Sequence, residues 1–229
     1  MRERPILFNG AMVRAILEGR KTVTRRVVKP APVGELRWNT GTMGGHVETW
    51  ADGLRVFECP FGMPGDRLWV RETFALLGNE DGVCIDWQDN MVRGDERGAA
   101  RIYRASCEVG DYGLWQIPDK ADWKPDTDGM QYEGTWRPSI HMPRWASRIL
   151  LEITDVRVER LQAITYEQAA AEGIHRHNRV WSATDEGGFC HKYPEPAFRD
   201  LWEITGGDWS ANPWVWVVEF KRVEVASVQ

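Results

Sequence analysis

The sequence predicts an α+β fold that is mainly β: a small barrel of about five or six strands, with short helices and long loop insertions. Two observations carry this expectation. Stretches of alternating apolar and β-branched residues outnumber the three short helical patterns. The two kinds do not alternate along the chain as they would in a doubly wound sheet. The 229 residues suit a single domain, 1–229, carrying large insertions.

The elements follow in order. In "GAMVRAILE", residues 10–18, Met12, Val13, Ile16 and Leu17 fall at helical spacing, with Asn9 as N-cap and Gly19 as C-terminal stop. The next segment, "TVTRRVV", is β-branched and alternates, Val23 and Val27 facing one way and Thr24 and Arg26 the other. Residues 30–60 are rich in Pro, Gly, Asn and Thr and read as a loop or irregular insertion. "MPGDRLWVRET" gives a Pro-Gly-Asp turn and a strand from Arg67 to Glu72. Residues 78–98 and 108–135 read as long polar loops around a short strand, "ARIYRA". Residues 147–159 form a long strand. Thr165 and Gln168 make a capping box for a helix over 166–172, which Gly173 stops. Residues 175–192 read as loop and 195–204 as a second short helix. "NPWVWVVEFKRVEV" closes the chain as an aromatic and β-branched strand.

Composition narrows the function classes. The hydrophobic fraction of 42% and aromatic fraction of 11% suffice for a packed core. Most of the 13 tryptophans are expected in that core or on its rim, the rest as stacking surfaces for a flat ligand. A pI of about 5.6 excludes a wholly cationic nucleic-acid coat while leaving room for a local basic patch. No apolar run reaches the ~20 residues of a membrane span, and "MRERPILFNG" is too short and polar for a signal peptide, so a cytoplasmic protein is expected. Cys59, Cys84, Cys107 and Cys190 form no CxxC pair and read as free thiols. His175, His177, Cys190 and His191 make only a loose set, so neither a metal nor another cofactor is expected.

One string stands out against the net charge of −5: "GRKTVTRR", Gly19 to Arg26, with a lysine, two threonines and three arginines in eight positions. It sits where a helix turns into a strand, a place where rigid elements present functional groups. Together with "PGDRLWVRE", "LQAITYEQAAAEGI" and "WVWVVEFKRV", in that order, it resembles the ASCH domain family, which is similar in fold to the PUA domains. The likeness is to the longer ASCH proteins of bacteriophages and prophages, which implies a bacterial host cytoplasm. It covers the two ends of the chain. The interior from Ala31 to Gly62 and from Leu77 to Tyr132 has no counterpart in minimal family members, which places the insertions at about 31–62 and 77–132.

Some small bacterial ASCH proteins are amidohydrolases that remove the acetyl group from N4-acetylcytidine. The resemblance assigns their lysine to Lys21, their threonine to Thr24 and their helix glutamate to Glu172. The pair Arg25–Arg26 and the insertions depart from the family pattern, which touches substrate identity more than chemistry. The chemistry is consistent in itself. Amide hydrolysis needs a nucleophile, a base and an oxyanion stabiliser. Lys21 can serve as base once burial or cationic neighbours lower its pKa, and Arg20, Arg25 and Arg26 flank it. Thr24 would be the nucleophile and Glu172 the proton shuttle. A water nucleophile with Glu172 as base stays open beside it.

Arg20, Arg25 and Arg26 are also expected to contact an anionic substrate. A second cluster, "TWRPSIHMPRWASR", adds Arg137, Arg144 and Trp145 as substrate or nucleic-acid contacts, since arginine with aromatics suits phosphate contact and base stacking. The partner expected is a nucleoside, a nucleotide or RNA/DNA. An alternative is a binding module that recognises RNA, DNA or a modified base without turnover. A weaker one is a metal-independent ribonuclease, the acidic cluster of two-metal nucleases being missing from the sequence. The sequence does not specify protein partners or oligomeric state.

Overall fold

A computed structural model describes residues 1–32, 35–39, 46–50, 55–79, 81–107, 134–184 and 188–223. In chain order they form β1 (Glu3–Leu7), α1 (Gly10–Leu17), β2 (Val23–Val27), β3 (Glu35–Asn39), β4 (His46–Trp50), β5 (Arg55–Glu58), β6 (Arg67–Arg71), β7 (Phe74–Leu76), β8 (Arg101–Tyr103), β9 (Leu150–Arg160), α2 (Tyr166–Ala171), β10 (His175–His177), β11 (Val180–Ser182), α3 (Pro194–Ile204) and β12 (Trp214–Val223). The class is α+β with strands predominating. The chain divides into two compact units. One holds Met1–Arg4, Ala15–Leu68 and Ile149–Gln229; the other holds Pro5–Arg14 and Trp69–Arg148.

The first unit is organised by an antiparallel pair, β9 with β12, that runs from Trp214 opposite Arg160 to Val223 opposite Leu150, with a bulge between Glu219 and Phe220. β2 adds to the other side of β12, so that Arg25 lies opposite Val217 and Thr24 opposite Val218. The full order is β1-β6-β9-β12-β2, and every one of these strands contributes residues to this unit. Val215, Trp216, Val217 and Val218 are all buried, so β12 is covered on both faces and its apolar run is continuous rather than alternating. α3 starts with Pro194 in its first turn, where the missing N–H costs nothing. Ala197, Phe198, Leu201 and Trp202 then form its buried stripe. β3, β4 and β5 make a separate antiparallel sheet, and β10 and β11 a hairpin.

The second unit is built on the β7–β8 pair, with Ala75 opposite Ile102. Successive residues supply its two apolar clusters: Phe74 and Leu76 pack with Tyr103 and Met142, while Ala75 and Leu77 pack with Ile85 and Ile102. That alternation is the period of a strand with both faces covered.

The structure departs from the sequence expectation in two ways. Among the described residues the sheets are open: β1 and β2 are the outer strands of the five-stranded sheet and do not pair with each other. The described strands number twelve rather than five or six. The additional ones are β1, β7 and short strands inside 30–60 and 175–192, the last two segments both read as loop. Runs of three to five residues among turn formers leave too little alternation to recognise. Much of the second expected insertion, residues 108–132, lies outside the described residues. Among the described residues no helix is long and apolar enough to cross a membrane.

Candidate functional site

The turn after α1 fixes Lys21. The Asn9 side chain caps α1 by accepting from the Met12 amide at 2.8 Å. Gly19, at φ +75°, ends it. The amides of Arg20 and Lys21 then both donate to the Ala15 carbonyl, at 2.8 and 3.0 Å. On its other side Lys21 forms a β-bridge with Glu172, and the Thr22 amide donates to the Ala171 carbonyl at 2.9 Å. The ends of α1 and α2 are thus stitched together by the backbone of "RKT".

Glu172 is the C-cap of α2. The Thr165–Gln168 capping box expected from the sequence is formed in full at its start. Gly173 follows at φ +89°, and a Cβ there would lie 2.8 Å from the Cβ atoms of both Ala15 and Lys21. Only glycine lets the two helix ends come this close.

The side chains of Lys21 and Glu172 meet inside. Lys21 Nζ donates to Glu172 Oε2 at 2.7 Å and to the Glu172 carbonyl at 2.8 Å. The lysine side chain is 0% exposed and the glutamate 3%. Burial lowers the Lys21 pKa below its ordinary value; Glu172 opposes this by charge and hydrogen bond, while Arg26 and Arg25 reinforce it. A buried lysine held beside a carboxylate is a candidate acid–base couple.

Arg25 completes the cluster. Its Nη1 donates to Glu172 Oε1 at 3.1 Å, and its Nη2 donates to Gln168 Oε1 at 2.7 Å and Glu159 Oε2 at 3.2 Å. The guanidinium is 0% exposed and lies 5.8 Å from the Phe198 ring centroid. Arg157 continues the chain of charges to Glu159, Asp155 and Glu219. The sequence gives Glu159, Arg157 and Phe198 no role, and Gln168 reads in it only as a cap. Its one available signal was the four-residue spacing of Gln168 and Glu172, which puts both on one side of a helix.

The other expected residues are placed as follows. Thr24 is buried on β2. Among the described residues no hydrogen bond joins the Thr24 hydroxyl to Lys21 or Glu172. Arg20 pairs with Glu18 at 2.6 Å and donates to the Gly173 carbonyl at 2.7 Å. Arg26 is half-buried, and burial lowers its pKa against the opposing pull of Glu172. Arg137, Arg144 and Trp145 belong to the second unit. There Arg137 forks onto Glu96 at 2.8 and 2.7 Å, and Trp145 lies under the Arg101 guanidinium at 5.3 Å. Arg144 is half-buried. His191 Nε2 meets Asp200 at 2.7 Å, and among the described residues no three His, Cys, Asp or Glu side chains gather as a metal-holding set.

Comparison of the chain with protein families, with curated proteins and with solved structures finds no match in any of the three.

Proposed function

We propose that this chain is an ASCH-type, PUA-like protein that removes an acyl group from N4-acylated cytosine in a nucleoside or nucleotide, with Lys21 and Glu172 as the acid–base couple. The four ASCH-like stretches and the mainly β class support the kinship. The observation that carries the chemistry is the desolvated Lys21 amino group 2.7 Å from the Glu172 carboxylate. A lysine whose pKa falls toward neutrality can take a proton and return it within one turnover.

In this reading, neutral Lys21 takes the proton of the attacking group as that group adds to the acyl carbon. The tetrahedral intermediate collapses as the couple hands a proton to N4, and cytosine leaves. If Thr24 attacks, its Oγ1 carries the acyl group until water hydrolyses the ester. If water attacks, acetate leaves directly. The net reaction is the same: acylcytosine plus water gives cytosine plus carboxylate. Both routes use the same couple. A loss of less than about tenfold on Thr24→Ala would exclude the covalent one.

One observation favours a second reading, a non-catalytic module for RNA, DNA or a modified base. The Lys21 side chain has no exposed surface, as in a purely structural ion pair. Turnover requires this cover to open. The readings separate when N4-acetylcytidine and its deoxy form are incubated with the protein and release of the deacylated nucleoside is followed by chromatography. An enzyme releases product. A binding module retains the nucleoside or an oligonucleotide and releases none.

A further inference from the structure

We infer that Arg25 is a positioning residue for this site: its guanidinium holds one oxygen of Glu172 and anchors α2, so that Lys21 shares the Glu172 carboxylate with a permanent cation. The inference rests on the acid–base reading of Lys21 and Glu172, but its first readout does not need turnover.

The two carboxylate oxygens are divided. Oε2 accepts from Lys21 Nζ and Oε1 from Arg25 Nη1. The same guanidinium takes Gln168, one helical turn before Glu172, so it grips α2 at two points of one side. Its contact with Glu159 ties that grip to β9, across β12. A planar fork can bridge three acceptors in this way, and a lysine ammonium at the same place cannot. Among the described residues Arg25 Nε has no hydrogen-bond partner, so the head group is placed by its two terminal nitrogens alone.

This bears on proton affinity at Lys21. The charged groups facing it are Glu172 from the end of α2 and Arg25 and Arg26 from β2, with Arg20 bound to the neighbouring Gly173 carbonyl. A carboxylate serving one cation holds that cation's proton firmly; one divided between two holds each less. Because arginine does not deprotonate, Lys21 is the member of the pair that yields.

The test labels lysine at Cε and follows the carbon shift against pH. The chain has six lysines, and Lys21→Met identifies the signal by its loss. In Arg25→Gln, which removes the charge, the Lys21 midpoint is expected to rise by about one pH unit. In Arg25→Lys, which keeps the charge and loses the fork, it stays near the parent value while kcat on N4-acetylcytidine falls about tenfold or more. With Arg25→Gln the acid limb of the kcat/KM profile moves up with the midpoint, which a merely structural residue would not cause. An unchanged midpoint in a folded Arg25→Gln protein overturns the inference. If that variant does not fold, full kcat in Arg25→Lys overturns it instead. An inactive parent whose Lys21 midpoint still moves in Arg25→Gln overturns the amidohydrolase reading and leaves the placement of Glu172 by Arg25 standing.

Discussion

Lys21 and Glu172 depend on each other unequally. Removing the lysine leaves Glu172 still bonded to Arg25, whereas removing the glutamate takes the carboxylate away from the buried Lys21, Arg25 keeping Glu159 and Gln168. Glu172→Ala is therefore expected to cost about 3–5 kcal/mol in urea unfolding, and Lys21→Met much less. The pH dependence has a definite sign. The Lys21 pKa is lower folded than unfolded, so the unfolded chain binds more protons between the two values, and stability rises with pH across that window toward 10.5. Lys21→Met should flatten that rise, as read by urea midpoints at several pH values. Gly173→Ala places a Cβ against Ala15 and Lys21 in a left-handed conformation, and should cost about 1–3 kcal/mol. At this scale much was legible. The string "GRKTVTRR" draws attention by its chemistry, and the glutamate before Gly173 by the ASCH resemblance. What was not legible was the direction of Arg25. A run of cations on a strand reads as a solvated, anion-binding face until the acceptors on α2 and β9 are brought to it by the fold.

α2 shows how local rules and the site share residues. Gln168 accepts from the Thr165 amide at 3.0 Å and from Arg25 at 2.7 Å with the same oxygen. Thr165→Ala removes one cap bond and should cost about 1 kcal/mol. Gln168→Ala removes the reciprocal cap and an Arg25 anchor together, so it should cost more in the same unfolding experiment and lower turnover as well. The capping box and its glycine stop are legible because both act through neighbours in sequence. The β9–β12 pair is legible because its apolar runs are long. β1, β3 to β5, and the β10–β11 hairpin are not, since each is short and gains its stability from partners distant in the chain or from turns.

Over the whole molecule, the net charge of −5 hides where the cations go. Lys21 and Arg25 direct their charge inward, and Arg137 and Arg148 meet Glu96 and Glu72. An anionic partner is therefore not predicted by counting basic residues. Asp66 has a different task. Burial alone would raise its pKa, but the amides of Arg2 and Met63 and the Arg4 guanidinium outweigh that and hold it below the usual value. It thereby ties the N-terminal residues to the turn before β6. Its folded pKa lies below the unfolded one, so its contribution is present above about pH 4 and lost as the pH falls through the folded value. Asp66→Asn should lower stability at neutral pH and weaken the fall on acidification, as followed by circular dichroism.

The most direct measurement compares deacylation of N4-acetylcytidine by the parent protein and by Lys21→Met, each at matched folded fraction. The account predicts release of cytidine by the parent and a loss of at least about a hundredfold in the variant. Equal release from both would contradict it, because the chemistry would then lie elsewhere. No release from either, with the nucleoside or an oligonucleotide still bound, would make the buried couple a structural support for a binding module.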